Sequence, residues 1–307
     1  MFNASLDEGP HMNATHEPRL NHVDCLDALG LHRMAYWEWG DPANPRVLVC
    51  VHGLSRQGRD FDTLARALSD HWRVVCPDVV GRGRSDWLVD PMGYQVPAYV
   101  ADMVTLLARL NAPHVDWLGT SMGGLIGMGV ASLHGAHGSP IRKLILNDVG
   151  PRIQPEAVAR IAAYLGQPIR FSDLDEAADY MASISQGFGH FTREQWLALC
   201  RPMVQPLDDG PGLRLHYDPA IAVPFKAITP ESAAIGETLL WQRYDAIKCP
   251  TLLLRGADSD LLTRETAEEM TRRGPRARLH EFAGVGHAPM FVADEQIAVV
   301  RDFLLSP

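Results

Sequence analysis

A chain of 307 residues, 46% hydrophobic and 21% charged, is long enough to bury one large core with an elaboration and too apolar to be disordered throughout. Its formal net charge of -9 opposes binding to a phosphate backbone, which requires a positive surface that releases counterions, so nucleic acid is excluded as a partner. No apolar run is long enough to span a bilayer, so no membrane partner is expected, and a small-molecule substrate is.

Residues 1–22 are polar, carry Pro10 and Pro18, and lack the basic start and apolar stretch of a signal peptide. They are expected to form a flexible leader on a cytoplasmic protein. Within them His11, His16 and His22 have the spacing of no compact ligand set, so no metal is expected there. The runs 25–29 and 32–39, separated by Gly30, predict an antiparallel hairpin at a sheet edge. Runs 47–51, 74–76, 115–118, 144–146, 251–254 and 279–282, rich in Val, Ile and Leu, predict buried strands of a mostly parallel sheet.

Residues 98–110 predict a covering helix with Val100, Met103, Val104, Leu107 and Leu110 on its inner face, and 297–304 a terminal helix. Between 146 and 251 no buried strand is evident. Thr192 followed by Gln195 reads as a capping box, and Thr229-Pro230 as an N-cap with proline in the first helical position. The expected organisation is therefore a core at residues 23–150 and 243–307, with a helical cap at residues 151–242 inserted after the sixth strand. The five cysteines are odd in number and contain no CxxC pair, which suits buried thiols rather than a disulfide framework or zinc site. Cys50 and Cys76 are expected as neighbours in the sheet, unbridged.

The chemistry concentrates where the run 115–118 meets Gly119-Thr120-Ser121-Met122-Gly123-Gly124. A strand passing through small residues straight into a helix forces the serine into an exposed, strained turn, and the helix N-terminus aims backbone N–H groups at negative charge on a substrate oxygen. Ser121 is the expected nucleophile, with Met122 N–H as one oxyanion donor. Serine needs a base. His287, in Gly284-Val285-Gly286-His287 between the last strand and the terminal helix, fits the chain order of nucleophile, acid, histidine. His52, in Val51-His52-Gly53-Leu54, suits a turn that presents Leu54 N–H as the second oxyanion donor. For the acid, Asp260 is expected from Arg255-Gly256-Ala257-Asp258-Ser259-Asp260, with Asp258 as the alternative. Asp148, at the end of the preceding strand, is a third candidate, read first as a turn residue bonding backbone at the entrance to the cap.

Together, Val51-His52-Gly53, Asp78 with Gly81-Arg82-Gly83-Arg84-Ser85, Gly119 to Gly124, Arg255 to Asp260 and Gly286-His287 resemble the α/β-hydrolase superfamily, over nearly all of residues 25–305. The resemblance implies an α/β fold with helices flanking the sheet, a triad of Ser121, Asp260 and His287, oxyanion donors at Leu54 and Met122, Asp78 as a loop brace, and neither cofactor nor metal. The chain departs from the pattern where members often carry the acid, since that place is held by Ser259. It departs again at Arg82, where members often have histidine or an aromatic residue.

The implied reaction is hydrolysis of a carboxylic ester or lactone through an acyl-enzyme. Similar enzymes that cleave carbon–carbon bonds of ring-fission products share Ser-Met-Gly-Gly but commonly place tryptophan after the histidine, where this chain has Ala288. A binding module on the same fold is the non-enzymatic reading. Tyr164, Tyr180, Phe188, Phe191, Trp196, Phe225 and Trp241 are expected in the core of the cap or its pocket. Arg56 and Arg59 lie close enough to the oxyanion turn to meet an anionic substrate, although solvation or an ion pair with Asp60 is the plainer account.

Overall fold

A computed structural model describes residues 17–133 and 138–307. Eleven strands are formed in them: β1 Arg19–Asp27, β2 Gly30–Trp39, β3 Val47–Val51, β4 Arg73–Pro77, β5 Val115–Thr120, β6 Ile141–Asn147, β7 Arg170–Phe171, β8 Val204–Pro206, β9 Leu213–Leu215, β10 Thr251–Gly256 and β11 Arg278–Phe282. The helices are α1 Asp62–Leu68, α2 Val96–Leu110, α3 Met122–Ala131, α4 Pro155–Tyr164, α5 Leu174–Ile184, α6 Arg193–Cys200, α7 Ala222–Lys226, α8 Pro230–Ala246, α9 Arg264–Met270 and α10 Asp294–Leu305.

Eight strands make the main sheet in the order β1-β2-β4-β3-β5-β6-β10-β11. β2 pairs antiparallel with β1 and β4, and every later neighbour is parallel. β3 is Val-Leu-Val-Cys-Val, buried at all five positions, as a strand covered on both faces must be. Its alternation sorts the core into two layers. Val47, Val49 and Val51 pack with Met103, Leu106, Ile126 and Val130 of α2 and α3. Leu48 and Cys50 face Leu64 and Leu68 of α1 and Ile297 and Phe303 of α10. Cys50 and Cys76, neighbours on this second face, are both buried free thiols.

Three expectations need correcting. β1 begins at Arg19, inside the segment read as leader; the rest of that call, residues 1–16 with His11 and His16, lies outside the described residues. Only Val23 and Cys25 of β1 are buried, so this edge strand carries too few inward apolar residues to stand out from a polar tail. The hairpin turns on Ala28 and Leu29, because Asp27 Oδ1 accepts the N–H groups of Leu29 (2.7 Å) and Gly30 (3.0 Å), a side-chain turn that fixes the register. The inner face of α2 is Tyr99, Asp102, Met103, Leu106 and Leu110, while Val104 is exposed. The apolar stripe is rotated because buried polar partners set its phase: Asp102 Oδ2 lies 3.2 Å from His32 Nε2.

Between β6 and β10 the chain forms an insertion. Thr192 and Thr229 cap α6 and α8 as read, each in a capping box. The region also contains a small antiparallel sheet, β7-β9-β8, whose strands of two and three residues are too short to show any alternation. Phe171, Ala177, Ala178, Met181, Cys200 and Met203 form its own small core. Trp241 and Tyr244 of α8 belong instead to the main core, so the last helix of the insertion anchors it to the sheet layer beneath. No helix among the described residues is long and apolar enough to cross a membrane.

Candidate active site

β5 delivers Ser121 through a turn that tolerates only glycine at its crossings. A Cβ on Gly119 would lie 2.1 Å from Gly123 O, and one on Gly123 would lie 2.0 Å from Val51 O. This close approach holds Ser121 at φ 51°, ψ -117°, a left-handed backbone uncommon for a residue with a side chain. Ser121 N–H is tied to Asn147 O at 2.9 Å, so β6 fixes the turn from the other side. Met122 is the first residue of α3, where the backbone N–H has no acceptor within the helix.

His287 Nε2 lies 3.0 Å from Ser121 Oγ, and His287 Nδ1 lies 2.7 Å from Asp148 Oδ2. Asp148 also accepts Gly256 N–H on Oδ1 (2.9 Å) and Ser259 O–H on Oδ2 (2.5 Å). With donors on both oxygens the carboxylate acts as acceptor throughout, so Nδ1 carries its hydrogen toward Asp148 and Nε2 is left to accept from serine. Asp148 is fully buried, which fixes its geometry and removes competing water.

The acid facing His287 is therefore Asp148 of the β6 end, and neither Asp260 nor Asp258. Asp260 points away, making a bidentate pair with Arg160 at 2.7 and 2.9 Å. Asp258 is an exposed turn residue whose N–H donates to Val285 O at 2.9 Å. The departure at Ser259 carried the signal. A serine at the place of the usual acid braces a carboxylate supplied by the preceding strand, and its Oγ also accepts Leu261 and Leu262 N–H. Asp148 itself ranks last of the three in the sequence because Asn-Asp-Val-Gly-Pro reads as an ordinary turn.

On the opposite side of Ser121 runs the loop after β3. A Cβ on Gly53 would lie 3.7 Å from Ser121 Cβ, which sets the Leu54 turn against Ser121. Arg82, with no exposed surface, braces both expected oxyanion residues: its Nε donates to Leu54 O at 2.8 Å, and its Nη2 lies 3.7 Å from Met122 Sδ. Its Nη1 donates to Val80 O and Tyr99 Oη. Asp78 braces the neighbouring loops, accepting Gly58 and Arg84 N–H, and burial pushes its carboxyl up to about 6.

His52 is a second brace, remote from proton transfer. Its Nδ1 donates to Gly53 O at 2.7 Å and its Nε2 accepts Val79 N–H at 2.9 Å. Complete burial lowers its pKa from 6.5 to about 3. The folded state thus disfavours a proton that the unfolded chain takes up below about pH 6.5. The stability due to neutral His52 is complete above that pH and is lost as pH falls toward 3. Between pH 6.5 and 4.5 the loss is about 2 kcal/mol. Urea unfolding at the two pH values should show a drop larger by about that amount in wild type than in His52→Gln, whose amide can accept at the place of Nε2 and does not titrate. Equal drops would show that His52 is not held neutral.

The insertion closes over the site. Gly187 O accepts Gly286 N–H at 2.6 Å, and a Cβ on Gly187 would meet His287 N at 2.9 Å. Phe188 stacks on Trp196, and Phe191 meets the same ring edge-on. Against the turn that carries Ser121 lies a cavity of about 10 Å³ between His52, Asp60, Thr120 and Phe291. A groove of about 330 Å³ lies elsewhere, between the hairpin β1–β2 and Trp87–Val89, and is lined by none of Ser121, His287 and Asp148. Cys25, His32 and Asp102 bring three ligand-type atoms within 4.8 Å of one another, also away from Ser121; the 3.2 Å hydrogen bond of His32 to Asp102 accounts for two of them as a tie between β2 and α2.

Residues 48–300 match the model of the Alpha/beta hydrolase family. The chain is 58% identical over 288 residues to the 3-hydroxybutyrate-oligomer hydrolase of Cupriavidus necator, covering 93% of this chain and 97% of the relative. Among solved structures it is similar to a putative hydrolase from Rickettsia typhi, with 31% identity, TM-score 0.83, and 93% and 98% of the two chains covered. It is also similar to an alpha/beta hydrolase from Novosphingobium aromaticivorans, with 35% identity, TM-score 0.81, and 94% and 98% covered.

Proposed function

The chain belongs to the alpha/beta hydrolase family, and from that premise we propose that it hydrolyses esters of short hydroxy acids, 3-hydroxybutyrate oligomers foremost, with Ser121, His287 and Asp148 as its triad. The observation that carries this reading is the hydrogen-bonded chain Ser121 Oγ, His287, Asp148 at 3.0 and 2.7 Å. The relative at 58% identity, named as a 3-hydroxybutyrate-oligomer hydrolase, supports the choice of substrate.

Ser121 Oγ attacks the ester carbonyl while its proton passes to His287 Nε2. The imidazolium is stabilised through Nδ1–H by Asp148, which keeps its own charge. Leu54 and Met122 N–H groups hold the oxygen that gains charge. Collapse expels the alcohol, which takes the proton from Nε2, and leaves an acyl-enzyme. Water then attacks, giving its proton to Nε2, and the second collapse frees the acid and restores Ser121. No step calls for a cofactor or metal. Residues 151–242 serve as the cap over the site, where Gly187 meets the histidine loop.

Purified protein should be assayed against the 3-hydroxybutyrate dimer and trimer, neutral esters of graded acyl length, lactones and ring-fission dienones. Turnover highest on the 3-hydroxybutyrate oligomers is the expected outcome. Preferred cleavage of the dienones would replace this reading with carbon–carbon hydrolysis, and saturable binding without turnover of any compound would replace it with a binding role.

A further inference from the structure

Arg56 stands in the loop that follows β3, in Gly53-Leu54-Ser55-Arg56, and is 7% exposed. Its Nε and Nη2 donate to the two oxygens of Asp60 at 2.7 and 2.6 Å, the bidentate geometry that fixes a guanidinium most firmly. The ring of Phe188, from the insertion, lies against its other face, 5.5 Å from centroid to guanidinium carbon. Its Nη1 is buried with no hydrogen-bond partner among the described residues. A buried charged donor without an acceptor is expensive to maintain, and here the surrounding residues hold it in place rather than allow it to reach solvent.

Its position ties it to the chemistry. A side-chain carbon on Gly53 would touch both Arg56 Cγ, at 3.8 Å, and Ser121 Cβ, at 3.7 Å, so the arginine stem and the nucleophile flank the same glycine. Arg82, the second buried guanidinium on this side of Ser121, bonds only neutral acceptors: Leu54 O, Val80 O, Tyr99 Oη and Met122 Sδ. Asp60 is thus the ion-pair partner of Arg56 alone, and Arg82 has no carboxylate among its hydrogen-bond partners. Arg59, by contrast, is fully engaged by Asp62 and by the face of Trp37, and is not available to a ligand.

We propose that Arg56 is a substrate-binding residue whose Nη1 receives the free carboxylate of an acidic ester, so that the site is specific for hydroxyacid esters that keep an unesterified acid end. The inference rests on the ester-hydrolase reading above. In such an ester the free carboxylate sits a few bonds from the scissile carbonyl, on the alcohol side, which matches an anchor placed one glycine away from Ser121. Asp60 and Phe188 hold the guanidinium ready, so little order is lost when the carboxylate arrives. A lysine at position 56 would not serve equally, because a point charge cannot bond Asp60 bidentately and still present a second donor edge.

The test compares kcat/KM for the 3-hydroxybutyrate dimer and for its methyl ester, which has the same scissile bond and lacks the charge. Wild type should prefer the acid by about 10- to 100-fold, the range of a buried charge-assisted hydrogen bond. In Arg56→Gln/Asp60→Asn, which removes both partners and leaves no lone buried charge, the preference should fall to about twofold or less; Arg59→Gln should retain it. Wild type alone supplies a measurement independent of the variant's folding, namely competitive inhibition by butyrate against butyramide, with the anion the stronger inhibitor. Equal kcat/KM on the two esters, equal inhibition by acid and amide, or a folded double variant that keeps the preference overturns the carboxylate site while ester hydrolysis stands. Turnover of neither ester by wild type, nor of any neutral ester, overturns the ester-hydrolase reading and this inference with it.

Discussion

Asp148→Asn is expected to lower kcat about ten-thousandfold, while Asp260→Asn changes it by about twofold or less. The asymmetry follows from what each carboxylate touches. At position 148 a carboxamide can turn its N–H toward His287 Nδ1, which then becomes an acceptor, and the ring hydrogen moves to Nε2. The imidazole facing Ser121 then has a proton where it needs a lone pair. The amide also offers one acceptor oxygen to groups that now donate to two, His287, Gly256 and Ser259, so a stability loss of about 1–3 kcal/mol accompanies the loss of rate. Asp260 meets Arg160 where the two side chains are 48% and 42% exposed, and a screened surface pair contributes about 1 kcal/mol or less. Steady-state rates for Asp148→Asn, Asp258→Asn and Asp260→Asn, each with a urea midpoint, separate the three. A large loss confined to Asp258 or Asp260 would mean that the Asp148–His287 contact does not orient the base.

Ser121→Ala should abolish labelling by a fluorophosphonate and reduce turnover about a millionfold, the effect of removing the nucleophile from a unit whose members act together. The substitution is chemically narrow. Alanine has a Cβ like serine, so the turn at φ 51° is no more strained than before, and Ser121 makes no side-chain cap bond to α3, so the variant loses only the contact of Oγ with His287. Far-ultraviolet dichroism and the unfolding midpoint should therefore stay close to wild type, and the rate loss cannot be assigned to unfolding. Equal labelling of the two proteins would move the nucleophile elsewhere. With the proposed oxyanion donors on the main chain of Leu54 and Met122, the variant should still bind the ester, and measurable affinity without turnover is the companion expectation.

The sequence alone determined the features whose cause is local. The fully buried strands β3 and β10 show as unbroken apolar runs, and the Thr192 and Thr229 caps announce α6 and α8. Gly119, Gly123 and Gly124 mark a turn where backbones pass within a Cβ's width, and that crowding makes Ser121 legible, while chain order and the glycines before it single out His287; the structure brings the two to 3.0 Å. What depended on packing was not legible. β1 is an edge strand with two buried residues; β7, β8 and β9 are too short for a period to register; and the face of α2 is turned by the His32–Asp102 contact, made across 70 positions.

The acid was the decisive case. Asp148, Asp258 and Asp260 all stand in turns at the ends of neighbouring strands β6 and β10, and composition cannot rank them. Only the pairing of β6 with β10, Leu254 against Asn147, sets Asp148 beneath His287 and sends Asp260 outward to Arg160. Arg56 is similar: its sequence neighbours suggest a surface charge, and only the closing of the insertion over the loop after β3 makes it a buried cation with one donor left to give. Periodicity and turn chemistry act between adjacent residues and can be read along the chain. The direction a lone side chain takes is set by neighbours from distant segments, and that is decided only when the sheet and its insertion assemble.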